Sequence, residues 1–67
     1  MKKIINLPED FVKEMDLAGA YGKKENKTLV ARVHFDSRIV DFVVYNGINV
    51  VSEHDYLKDA VESYNNI

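Results

Sequence analysis

The dipeptide Asn46-Gly47 constrains this chain more than any other feature. It follows Arg38 to Tyr45, a run rich in Ile, Val, Phe and Tyr, and it precedes Ile48 to Val51. Strands favour these residues because branched and aromatic side chains pack well on a pleated surface. Asn and Gly tolerate positive φ at both central positions of a type I′ turn, so the pair predicts a tight β-hairpin. The run before it, Thr28 to Asp36, alternates Leu29, Ala31, Val33 and Phe35 with Thr28, Val30, Arg32, His34 and Asp36. Period two of this kind marks a strand with one buried face.

Two turns then assign the sheet's side chains to its two faces. A turn at Asn46-Gly47 pairs Tyr45 with Ile48, Val43 with Val50 and Phe42 with Val51. A second turn at Asp36-Ser37 pairs Val33 with Val40, Ala31 with Phe42 and Leu29 with Val44. Alternation puts Leu29, Ala31, Val33, Phe35, Val40, Phe42, Val44 and Val51 on one face, which reads as core. The opposite face carries Val30, Arg32, His34, Ile39, Asp41, Val43, Tyr45, Ile48 and Val50, with Arg32 directly across from Asp41. Apolar surface of that extent usually marks an interaction site. The other accounts are cover by the N-terminal segment through Ile4 and Ile5, or a slipped register at Asp36-Ser37, a poor type I′ dipeptide.

Helices are expected on either side of this meander. Leu7-Pro8-Glu9-Asp10 has the proline and acids of a helix start. Leu7, Phe11, Met15 and Ala18 then form one stripe at helical spacing, which predicts a helix from Pro8 to Ala18 or Ala20. Gly22-Lys23-Lys24-Glu25-Asn26-Lys27 is a polar loop. Ser52 is placed to cap a second helix, with Asp55 as its acid and Leu57, Ala60, Val61 and Tyr64 as its stripe. The expected fold is therefore α+β: a single domain over 1–67, with a three-stranded antiparallel β-meander and two flanking helices packed on one face (α-β-β-β-α). Lys3 to Asn6 adds a short N-terminal edge strand to that expectation.

Composition narrows the function classes. Nine Lys plus Arg stand against eleven Asp plus Glu, for a formal net charge of −2. Nucleic-acid binders draw much of their affinity from phosphate contacts and are normally basic, so that class is disfavoured. There is no cysteine, which removes disulfides, thiol nucleophiles and the usual structural zinc sites. The opening Met1-Lys2-Lys3-Ile4-Ile5 stops at Asn6, short of the roughly 7–15 apolar residues of an export signal. No run approaches the roughly 20 apolar residues of a membrane span. The expected location is the cytoplasm, away from any membrane.

The chemistry-bearing residues form no catalytic set. His34 has Asp36 on its own strand and Asp41 diagonally near, but no serine or second ligand completes a site. Glu53-His54-Asp55 is explained by a helix start rather than by a metal, since no His-x-x-x-His spacing accompanies it. No enzyme activity, cofactor or metal is expected. Lys23, Lys24 and Lys27 form the one basic cluster and are the candidate nucleic-acid contacts. Four tyrosines are many for this length, and tyrosine suits interfaces by offering a large ring with a polar tip. The candidate protein-binding residues are Val30, Arg32, Asp41, Val43, Tyr45, Ile48, Val50 and Tyr56.

In element order and length the chain resembles the double-stranded-RNA-binding domain. That resemblance implies the fold and, through the Lys23, Lys24 and Lys27 loop, a nucleic-acid-associated role. The family's lysine-rich start to its last helix is replaced by Ser52-Glu53-His54-Asp55-Tyr56-Leu57-Lys58, and Asp36-Ser37-Arg38 stands where its Gly-Pro-x-His element would lie. In general character the chain is similar to small acidic inhibitors that phages encode against host enzymes or defence complexes, the anti-CRISPR proteins among them. The leading expectation is a non-enzymatic module that binds another protein by occluding its surface and that self-associates as a dimer.

Overall fold

A computed structural model describes residue 8 and residues 10–67. The described residues form four strands and one helix: β1 (Val12–Tyr21), β2 (Asn26–His34), β3 (Ile39–Asn46), β4 (Asn49–His54) and α1 (Leu57–Asn65). All neighbouring strands are antiparallel, and the sheet order β1-β2-β3-β4 follows the chain. This corrects the expected architecture of three strands between two flanking helices. It also removes the topological basis of the resemblance to the double-stranded-RNA-binding domain.

The segment expected as the first helix is the longest strand. β1 pairs with β2 from Val12 opposite His34 to Tyr21 opposite Asn26, with an extra residue at Leu17. The helix reading rests on the spacing of Leu7, Phe11, Met15 and Ala18, and Lys, Glu, Met, Leu and Ala are good helix formers besides. Propensity is a weak prior, and pairing along the whole of β2 overrides it. As an edge strand exposed along almost all its length, β1 shows no alternation of buried and exposed side chains. The expected strand at Lys3 to Asn6 and the cover by Ile4 and Ile5 lie outside the described residues.

The β2–β3 register is as expected: Val33 faces Val40, Ala31 faces Phe42, Leu29 faces Val44, and Arg32 faces Asp41. Phe35 to Arg38 form the turn, with Arg38 in the left-handed region at φ 56° and the Asp36 carboxylate accepting from the Ser37 N–H. The β3–β4 register differs. Gly47 has φ 63° and is the one described glycine with positive φ, so the two-residue turn is Gly47-Ile48, the pattern of type II′ rather than I′. Asn46 pairs with Asn49 and Tyr45 with Val50; a bulge at Val51 then brings Ser52 opposite Val44 and Glu53 opposite Val43. Ser52, Glu53 and His54 therefore belong to β4 and not to a helix start.

Helix α1 begins after Tyr56, which caps it without a side-chain hydrogen bond. Ala60 is fully buried against Leu29 and Val44, with Phe42 and Tyr64 packed around them. Polar contacts tie the helix down along the same line. Ser63 Oγ lies 2.6 Å from Ser52 Oγ, which is 2.8 Å from His54 Nε2. Lys27 Nζ donates to the Tyr64 carbonyl at 3.0 Å and stands 4.4 Å from its ring centroid. One short helix covers only part of a sheet face. The shape is elongated, 49 × 22 × 20 Å with a radius of gyration of 14.3 Å, against about 11 Å for a compact chain of this length.

Candidate functional site

The face opposite α1 gathers the residues singled out in the sequence. Val30 and Val43 are directly paired in the two central strands and are buried, Val43 completely. Asp16 lies across from Val30 and Glu53 across from Val43. The two valines support the face from within rather than standing out from it. Tyr45 is half-buried and pairs with Val50, which is exposed. Ile48, in the turn beyond them, is 95% exposed. Tyr56 is exposed as well, but it precedes α1 and is not part of the sheet face.

Beside this apolar end lies a connected group of charges. Arg32 grips Asp41 with two parallel bonds, Nε donating to Oδ1 at 3.0 Å and Nη2 to Oδ2. The same Nη2 reaches Glu53 Oε1 at 2.8 Å. On the other side His34 Nε2 lies 3.0 Å from Asp41 Oδ1. Arg32, His34 and Asp41 are half-buried, whereas Glu53 is exposed. A planar guanidinium matches a carboxylate in this two-pronged manner, which fixes geometry as well as adding energy.

The arrangement changes acid–base behaviour in a definite direction. The hydrogen bond from Arg32 holds the Asp41 carboxyl down to about 2, against the opposing effect of partial burial and with help from His34. The same bond to Asp41 raises the Arg32 guanidinium above its ordinary value. Both groups are thus charged throughout the physiological range. A carboxylate held this way is a structural anchor and a poor proton acceptor at neutral pH.

Glu53 is the member that sequence reasoning missed, because it was placed at a helix start. The signal was available: moving the turn by one residue and allowing a bulge puts an acid opposite Val43 and within reach of Arg32. The alternative basic cluster is not held as one unit. Lys23 and Lys24 are exposed in the β1–β2 loop, while Lys27 on β2 is engaged with Tyr64. Among the described residues no group of three or more His, Asp or Glu is placed to hold a metal ion. No helix among them is long and apolar enough to cross a membrane. No family model, no curated protein and no solved structure matches this chain.

Proposed function

We propose that the chain is a non-enzymatic protein-binding module of the cytoplasm, which acts by occluding part of a partner's surface through the sheet face opposite α1. One observation carries this reading. A hydrogen-bonded Arg32–Asp41–Glu53 cluster stands beside Tyr45, Val50 and the protruding Ile48. Arginine and tyrosine are enriched where interfaces draw most of their energy, and fixing a charged group before contact reduces the ordering cost of binding. The surface is shallow, so it suits a macromolecular partner better than a small molecule. An inhibitor would use it in the same way as an adaptor.

The test is a comparison of captured proteins. Wild-type chain and an I48D/V50D variant are immobilised and exposed to cell lysate, and the retained proteins are identified by mass spectrometry. Both substitutions are at exposed positions. At least one protein is expected to be retained by the wild type and lost by the variant. If nothing is retained, or the two sets coincide, this face is not the binding surface.

A further inference from the structure

The β1 edge offers a second and separate interaction surface. Among the described residues no strand lies beyond β1, which is the edge of the described sheet. Such an edge is a ready template for another strand. Met15, Leu17 and Tyr21 are all exposed along it. The extra residue at Leu17 bends the first half, whereas Ala18 to Tyr21 pair regularly with β2. Within that regular half Gly19 has no side chain, and the Tyr21 ring fills the space instead. A Cβ at Gly19 would lie 2.7 Å from the ring's Cε2. The Tyr21 hydroxyl holds the ring in place, 3.0 Å from Thr28 Oγ1.

Charge along this strand is divided. Glu14 and Asp16 outweigh Lys13 in its first half, and Lys23 and Lys24 follow its last residue. None of these five forms a salt bridge among the described residues. A segment that is acidic at one end and basic at the other is complementary to an antiparallel copy of itself. The charges also choose the centre of symmetry. A two-fold axis at Met15 would set Glu14 and Asp16 of each copy against those of the other. An axis at Gly19 sets Leu17 opposite Tyr21 and brings Lys23 and Lys24 of each copy alongside Glu14 and Asp16 of the other, although Glu25 offsets part of the attraction.

We propose that two copies of this chain pair antiparallel through their β1 edges, on a two-fold axis at Gly19, to make one continuous eight-stranded sheet. The contact is isologous and closes at two copies. It leaves the face opposite α1 accessible, so it neither requires nor replaces the partner reading above.

Sedimentation of the full chain across a concentration series tests the pairing. A dimer is expected whose dissociation constant rises with salt, because the selecting contacts are exposed charges. K23E/K24E and, separately, E14K/D16K should each weaken it by about tenfold or more, and the chain carrying all four changes should recover most of the loss. Circular dichroism establishes that each variant is folded, and the wild-type salt dependence stands as a test even if one is not. A chain that stays monomeric at every concentration overturns the proposal. So does a dimer indifferent to salt, or one that the reversals do not weaken.

Discussion

The two ends of the helix-side face are built from the same kinds of residue and held by different forces. At one end Leu29 and Val44 are paired, lie under Ala60 of α1 and are removed from water, Val44 completely. At the other end Val33 and Val40 are paired in the same register, yet they remain 37% and 45% exposed. Binary patterning makes the two ends equivalent. The reach of a nine-residue helix makes them different. What secures the open end lies on the reverse side of the sheet. The Arg32–Asp41–His34 group falls in the rows that flank Val33 and Val40. One end is held chiefly by apolar burial and the other by ion pairing.

This contrast is broken most directly by trimming one valine at each end. Val44→Ala should lower unfolding free energy by about 2–3 kcal/mol, since it removes buried methyls and leaves a cavity under Ala60. Val40→Ala, at a position 45% exposed, should cost less, about 1 kcal/mol or below. Urea denaturation measures both, and equal losses would mean that the ends do not differ. Ala60→Leu comes next. Extra carbons in the filled contact with Leu29 and Val44 should cost about 1–3 kcal/mol through overpacking, observable as a lower thermal midpoint.

Acidity sharpens the comparison from the other side. The folded Asp41 carboxyl is held at about 2, below its ordinary value of 3.8. A carboxyl depressed on folding stabilises the fold above its unfolded pKa, and that contribution is lost as pH falls from about 4 towards 2. Allowing for partial exposure, the loss should be about 1–2 kcal/mol. Hydrogen exchange should show the amides around Val33 and Val40 losing protection over this window before those around Leu29 and Val44. Asp41→Asn should abolish the difference. The smallest effect is expected from Ser63→Ala, which removes the Ser52 contact at the covered end and should cost about 0.5–1.5 kcal/mol in the same denaturation assay.

How much of this was legible follows from which residues are buried on one side only. The β2–β3 pairing could be read because Leu29, Ala31 and Val33 alternate cleanly and the Phe35–Arg38 turn preserves the register of a tight one. The Arg32–Asp41 pair came with it. β4 was read one residue early because Asn-Gly suggests type I′, whereas Gly47 alone adopts positive φ. The bulge at Val51 then carried Glu53 to a position that no local pattern announces. β1 was illegible as a strand because neither of its sides is buried, so no periodicity opposes the helix propensity of its residues. Val30 and Val43 show the opposite limit: they are buried on the same face as the half-buried Arg32, His34 and Asp41 and the exposed Val50, a difference that no sequence pattern announces.

Sheet order that follows chain order has a kinetic consequence. Every strand pairs with its neighbour in sequence, and α1 returns at once onto the strands that precede it. Little loop-closure entropy must be lost before a native contact forms. The central β2–β3 hairpin, joined by the short Phe35–Arg38 turn and containing the two fully buried valines of β3, is the natural nucleus. β4, α1 and β1 can then add to it by short-range steps. The chain should fold as a single fast phase, on the order of milliseconds, and Val43→Ala should slow folding more than it speeds unfolding.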